Sequence, residues 1–275
     1  MRRHRGLVVI CLCLVVTAAS AEQRLVIFDV GEGLAVMLQH SEDAILVDTG
    51  HAGRAAGVLA HMRQRHVRQL DRLILTHLHP DHASGYFRIR EAFPKTPVFY
   101  NGQPLPRDIA PDMVRWVNDA LAADPLSKRL TAGDHMQWHD SVIDVLWPSE
   151  FRGSDLNRHS LVLSIRYGET GVLVMGDADS EVEDTLLNRN AIRPADILIA
   201  GHHGSAYTST AAFLTVVRAS HAVVSVNHDN IRGYPNAMTL ARLHKYSGEV
   251  LRTDIDGEIC FELSGHPGRQ PRCAP

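Results

Sequence analysis

Residues 76–82 read Thr-His-Leu-His-Pro-Asp-His, which puts three imidazoles and one carboxylate within six positions, directly after the apolar run Leu73-Ile74-Leu75. If that run is a strand that stays extended, His77 and His79 project from the same side, because strand side chains alternate with period two. Two imidazoles at i and i+2 can bind one metal ion. Asp81 and His82 follow where a helix can start, and they can reach a second ion nearby. Imidazole and carboxylate at this density suit zinc, and less specifically iron or manganese.

The chain has 275 residues, with 45% hydrophobic and 6% aromatic content, ordinary values for a globular protein and enough length for one large domain or two small ones. The N-terminus has its own pattern. Met1-Arg2-Arg3-His4-Arg5 is a basic start, residues 6–16 form a short apolar core, and Ala19-Ser20-Ala21 is an A-x-A cleavage site. The expectation is a signal peptide over residues 1–21 and a domain over residues 22–275, hence an exported protein, periplasmic or secreted. The alternative is an uncleaved anchor. Taking Arg2, Arg3 and Arg5 from the 28 basic residues leaves 25 against 31 acidic ones, a net charge of −6 beyond residue 21. Such a chain has no general electrostatic attraction for nucleic acid, although a local basic patch is compatible with it. Cys260 and Cys273 are the two cysteines beyond that segment. In an exported protein they are candidates for one disulfide pinning the C-terminal tail to the last strand.

Beyond residue 21 the pattern is α/β. Strands are expected at residues 24–28, 34–39, 44–47, 73–75, 98–100, 142–146, 161–166, 172–175, 197–200 and 222–226, with two more near Val250 and Ile259. Helices are expected at 55–66, 180–188, 210–217 and 237–246. Met113, Trp116, Val117, Ala120 and Leu121 mark one face of a further helix, as core or as a lid. The second half repeats the first half's arrangement and no linker divides them, which suits two sheets packed face to face with helices outside. Polar residues recur where predicted strands end: Asp48, His77, Asp177, His202 and His203. In α/β folds, sites form at such ends.

These pieces resemble the metallo-β-lactamase superfamily, and within it the ComEC-type (competence DNA-internalisation) hydrolase domain. The matching segments are Phe28-Asp29-Val30-Gly31-Glu32-Gly33, Leu46-Val47-Asp48-Thr49-Gly50, Thr76 through Gly85, Asn157 with Ser160-Leu161-Val162-Leu163, Gly176-Asp177, His202-His203-Gly204-Ser205 and Arg252-Thr253-Asp254. They come in family order over residues 24–262. The resemblance implies a four-layered αββα sandwich and two divalent metal ions, zinc first, with manganese or iron(II) as alternatives. It implies that His77 and His79 hold the first ion, Asp81 and His82 the second, and that Asp177 bridges both. His203 completes the second ion, with His202 as the competing choice; His159 or Asn157 serves the first. Asp81 also orients the attacking oxygen, and Asp48 accepts from a ligand imidazole. Ser205, Thr208 and Ser209 can bind a phosphate or cap the next helix, capping being the reading for Ser209.

The chain departs from the family pattern at two places. Glu32 and Leu34 stand where the family has Gln then Asp. Gly233-Tyr234-Pro235 stands where it has Gly-His-Pro, so if that histidine serves substrate binding or leaving-group protonation, either Tyr234 or His228 substitutes for it or the chemistry differs. The expectation is that no multi-helix membrane channel accompanies the domain, so that DNA uptake does not carry over, and no obligate protein partner is expected. The reading is an exported dinuclear hydrolase, a phosphodiesterase with a metal-bridging hydroxide as nucleophile, acting on nucleic acid or a phosphorylated headgroup. The alternatives are a β-lactamase, lactonase or thioesterase of the same fold, and a non-catalytic metal-containing binding protein. β-Lactamases of this fold usually lack a carboxylate at the position of Asp177.

Overall fold

The computed structural model describes residues 23–106, 108, 110–268 and 270–273. The expected signal segment lies outside the described residues. In chain order the elements of the first half are β1 (Gln23–Ile27), β2 (Val36–His40), β3 (Asp43–Val47), α1 (Ala55–Gln64), β4 (Gln69–Leu75), α2 (Pro80–Ala83), α3 (Tyr86–Ala92), β5 (Val98–Tyr100), α4 (Asp112–Ala123) and β6 (Ser127–Arg129). The second half has β7 (His135–Trp138), β8 (Ser141–Trp147), β9 (Val162–Tyr167), β10 (Thr170–Val174), α5 (Ser180–Asn188), β11 (Ile197–Ile199), α6 (Ala211–Val217), β12 (His221–Val224), α7 (Ala237–Tyr246), β13 (Glu249–Arg252), α8 (Thr253–Asp256) and β14 (Ile259–Leu263).

The strands form two seven-stranded sheets, ordered β14-β1-β2-β3-β4-β5-β6 and β13-β12-β11-β10-β9-β8-β7. Pairing is antiparallel from β14 to β3 and parallel from β3 to β6. The second sheet repeats this, antiparallel from β7 to β10 and parallel from β10 to β13. Strand alternation then builds the layers. Ile45 and Val47 of β3 face the second sheet, where they join Val172 and Val174 of β10 and Ile197 and Ile199 of β11. Ala44 and Leu46 point outward, into a cluster with Val58, Met62 and Val117 from α1 and α4. On the far side Leu173 and Leu198 pack with Val182, Phe213 and Leu243 from α5, α6 and α7. Strands covered on both faces read as continuous apolar runs. The result is a four-layered αββα sandwich.

The structure corrects the expected elements in several places. The run at residues 73–75 is only the buried end of β4, whose first half is partly exposed. The expected strand at 34–39 begins at Val36, because the amide of Leu34 turns to the carbonyl of Asp81 at 3.3 Å. β6 (Ser-Lys-Arg) and β7 are short strands at the sheet ends, with few buried side chains. Only backbone pairing defines them, so they leave no hydrophobic signal, and exposed Lys and Arg suit an edge strand. On α4, Trp116 is 59% exposed and leaves the core; the buried face is Val114, Val117 and Leu121. Ser209 does not cap α6: the hydroxyl of Thr210 accepts the amide of Phe213 instead.

Cys260 of β14 is bonded to Cys273, where Phe261 pairs with Arg272 across an isolated bridge. The loop it closes is short, with a sequence separation of 13. Replacing both cysteines by serine is expected to lower stability by about 3 kcal/mol through the larger entropy of the open chain. Urea midpoints of the two proteins without reductant measure it; identical midpoints would show that the crosslink contributes nothing.

Candidate metal centre

Parallel pairing decides where the polar strand ends meet. β3 and β4 are parallel neighbours, as are β10, β11 and β12, so their C-terminal ends lie together on one edge of each sheet. The carbonyl of Thr76 accepts the amide of Leu161 at 2.9 Å and ties the two edges together. Asp48, Thr76, His77, Asp177, His202 and His203 all emerge there.

Local chemistry aims each side chain. Pro80 is the first residue of α2, and the residue before a proline is pushed to extended backbone; His79 has φ −60° and ψ 146°. His77 and His79 therefore converge, with His77 Nε2 3.1 Å from His79 Nδ1. Asp81 and His82 occupy the first turn of α2. Gly33, at φ +122°, lies so close to that turn that a Cβ there would stand 2.0 Å from the Asp81 carbonyl oxygen. Only glycine lets the loop after β1 press against α2. His202 and His203 both have left-handed backbone, at φ 46° and 52°. Such residues cost on the order of 1–3 kcal/mol each and persist where surrounding contacts hold them. Here the His202 amide donates to the Gly176 carbonyl at 3.0 Å, and His203 Nδ1 contacts the Ser225 carbonyl at 3.0 Å.

Two groups of possible ligands result, His77 with His79 and Asp177, and Asp81 with His82 and His203; within each group the ligand atoms lie within 4.8 Å of one another. Asp177 stands between them. Its Oδ2 is 3.8 Å from His77 Nε2, and its Oδ1 is 3.1 Å from His82 Nε2 and 3.5 Å from His203 Nε2. Asp81 Oδ2 is 3.3 Å from His203 Nε2 and 3.9 Å from His82 Nε2. His202 lies on the other flank, its Nε2 3.8 Å from Asp177 Oδ2 and 3.3 Å from the amide nitrogen of Asn157. His202 and Asn157 thus flank the His77 group, and His203 joins the His82 group.

These residues fit divalent cations. His82 Nδ1 meets Asp48 Oδ2 at 2.7 Å, and a carboxylate only accepts, so the proton sits on Nδ1 and the Nε2 lone pair faces inward. The Ser225 carbonyl sets the same tautomer for His203. His77 Nδ1 lies 3.1 Å from Ser160 Oγ and 3.2 Å from Thr76 Oγ1, again outside the cluster. Asp177 Oδ1 is buried without a hydrogen-bond donor among the described residues. Inward lone pairs around a bare carboxylate repel one another unless positive charge sits among them. Burial lowers the imidazole pKa of His82, but the carboxylates of Asp177 and Asp48 outweigh it and hold His82 well above its ordinary value. For His203, burial is likewise outweighed by Asp177 and Asp81. Burial alone pushes Asp177 up, yet His82 and His203 bring it well below the carboxylate range. Without a cation the centre draws in protons.

Other expected residues lie elsewhere. His159 is buried, but its ring serves the backbone: Nε2 accepts the Arg152 amide at 2.9 Å and Nδ1 donates to the Asp155 carbonyl at 2.7 Å. It braces the loop that carries Asn157 and is corrected out of the ligand set. His228 is exposed and pairs with Asp229, whereas the Tyr234 ring stands 5.6 Å from that of His202. Ser205 Oγ accepts the Tyr207 amide at 3.3 Å, and Thr208 Oγ1 donates to the carbonyls of Gly201 and Ser205 at 3.1 Å; both serve the backbone of the turn. The contacts that sequence reasoning missed are Thr76, whose amide and hydroxyl both donate to Asp48 at 2.7 Å, and the Ser225 carbonyl. A backbone carbonyl has no sequence signature, so only the fold could reveal Ser225. A third acidic group, Asp43, Asp71 and His139, lies apart from the centre, and there Asp71 accepts from Trp138 Nε1 at 2.7 Å in a contact between the sheets.

An αββα sandwich with paired His/Asp groups at its strand ends defines a class of metal-dependent hydrolases. The chain belongs to the metallo-beta-lactamase superfamily, whose model matches residues 28–228. Within it, the chain resembles the ComEC-type hydrolase domain. It is 30% identical over 246 residues to competence protein ComA of Neisseria gonorrhoeae, a match covering 88% of this chain and 32% of that protein. It is 29% identical over 236 residues to recombination protein 2 of Haemophilus influenzae, covering 84% of this chain and 28% of that protein. The chain thus spans about a third of the length of the curated relatives it matches. Among solved structures, the metallo-beta-lactamase fold protein YhfI of Bacillus subtilis superposes with a TM-score of 0.58 at 15% identity, covering 88% of this chain and 100% of that one. That likeness speaks to the fold.

Two predictions follow from the outer contacts and the charge. Asp48→Asn removes the carboxylate that orients His82 and is expected to weaken metal binding about 10–100-fold, read by chelator competition. An unchanged affinity would mean that the Asp48 carboxylate does not set the orientation of His82. His82 is held well above the ordinary imidazole value, so it carries an extra proton in the metal-free chain that metal must displace, and His203 is shifted in the same direction. Loading is therefore expected to release protons, and affinity to fall as pH falls, starting above the ordinary imidazole value of 6.5. Titration calorimetry in buffers of different ionisation enthalpy reads the proton count; none released would contradict this charge balance.

Proposed function

We propose that this chain is an exported, dinuclear-metal-dependent phosphodiesterase with nuclease-like chemistry. One observation carries the reading: the Asp177 carboxylate offers one oxygen to each ligand group. A shared carboxylate suits a pair of closely spaced ions, the arrangement that clamps both the attacking and the leaving oxygen of an in-line displacement at phosphorus. The competence and recombination names of the relatives agree with a nucleic-acid diester. The basic start and Ala19-Ser20-Ala21 support export.

When bound, two divalent ions, zinc first, would supply an activated water near neutral pH and positive charge for the phosphoryl oxygens. The chain's own residues do the positioning. His77, His79 and Asp177 hold one side, with His202 or Asn157 beside them; Asp81, His82, His203 and Asp177 hold the other. Asp81 is the most exposed carboxylate of the cluster and is placed to orient the attacking oxygen. Burial raises the pKa of Tyr234 above its ordinary value, against the opposing pull of Arg232, so the phenol keeps its proton and can donate to a substrate oxygen beside His202. It stands where the family carries histidine.

Asp177→Ala is expected to lower turnover of bis(p-nitrophenyl) phosphate by more than about 100-fold, beyond what loss of an outer contact costs, and to reduce metal content below two ions per chain. Chelation should abolish wild-type turnover and added metal restore it. A fully loaded wild type that ignores the diester but cleaves nitrocefin would replace this reading with a β-lactamase.

A further inference from the structure

The Asp81 side of the centre opens into a groove of about 440 Å³, within the size range of small-molecule sites. Its lining brings together Gly53 and Arg54 at the start of α1, Glu32 from the loop after β1, Asp81, and Arg232 from the loop after β12. The charges there do not cancel. Arg232 Nε lies 3.0 Å from Glu32 Oε1, so those two neutralise each other. Asp81 is turned toward His203 and His82. Arg54 has no hydrogen-bond or ion-pair partner for its guanidinium among the described residues. That guanidinium lies over the Gly31 backbone, with Nη2 3.4 Å from where a Cβ would stand. A second feature agrees. α1 follows Arg54 without a side-chain cap and without an acidic residue in its first turn, so among the described residues no side chain caps the positive end of the helix.

An unpaired guanidinium, an uncapped helix start and a groove that shares Asp81 with the candidate centre together call for an anion beside the reacting group. Guanidinium geometry matches phosphate through two parallel hydrogen bonds. We propose that this groove binds a second phosphate of the substrate, next to the diester being cut, with Arg54 as its principal ligand. This rests on the phosphodiesterase reading and narrows it to diesters that carry a flanking phosphate, as an oligonucleotide does and an isolated diester does not. Arg54 then sets specificity while the His and Asp cluster does the chemistry.

The test compares kcat/KM of the metal-loaded full chain on thymidylyl-thymidine bearing no terminal phosphate, a 5′-phosphate or a 3′-phosphate. Wild type is expected to prefer one phosphorylated form by about 10-fold or more. That preference should disappear in Arg54→Ala, return in part in Arg54→Lys, and stay unchanged in Arg63→Ala, an arginine on the same helix that, exposed like Arg54, does not line the groove. No preference in wild type, or the same preference in Arg54→Ala, overturns the proposal. If wild type cleaves none of the three, the phosphodiesterase reading has failed, and calorimetric binding of the same compounds decides the groove separately. Tighter binding of a phosphorylated form that is lost in Arg54→Ala supports the groove; equal binding of all three overturns it.

Discussion

Everything at this centre depends on the burial of one carboxylate. Asp177 is 2% exposed and faces imidazole nitrogens whose protons are held elsewhere. A bare carboxylate in that position costs several kcal/mol unless cations or protons compensate it. The contacts around it all lead to that compensation. Asp48 and the Ser225 carbonyl take the outer protons of His82 and His203, Thr76 secures Asp48, and the Ser160 hydroxyl accepts the amide of Asp177 itself. Each of these outer contacts is ordinary. Their sum is a cavity of acceptors that is stable only with positive charge inside.

The sandwich makes the arrangement possible. Parallel strands deliver their C-terminal ends to one edge, and two sheets packed face to face bring two such edges together. The apolar layers on either side hold those edges rigidly enough to support His202 and His203 in left-handed backbone, which a free loop would relax. The loops do the fine placement: Pro80 keeps His79 extended, and Gly33 allows the loop after β1 to close on α2.

Function then divides by place. The His and Asp cluster of a metal-dependent hydrolase is common to the superfamily. At the rim, Tyr234 stands beside His202, and Arg54, without a partner among the described residues, lines a groove. These rim residues come from loops and a helix start, which change without disturbing the sheets. The curated relatives are about three times longer than the region they share with this chain.

Much of this was legible in the chain alone. Alternation and long apolar runs announced strands covered on both faces, and the spacing of His77, His79, Asp81 and His82 announced ligands, because their proximity is local and survives in one dimension. Asp177 and His203 were legible as polar residues at strand ends, and their roles only through resemblance to a family. Tertiary structure alone decided the rest. His159 looked like a ligand by its position in a loop, but its ring nitrogens serve Arg152 and Asp155. Trp116 fitted a helical stripe, yet the helix turned it outward. Ser225 contributes through a carbonyl that every residue possesses, and Arg54 matters because none of the described residues neutralises it. The sequence determined which groups were present and which sheets they would border. Only folding, which sets distances between residues far apart in the chain, decided which groups meet and which charge is left without a partner.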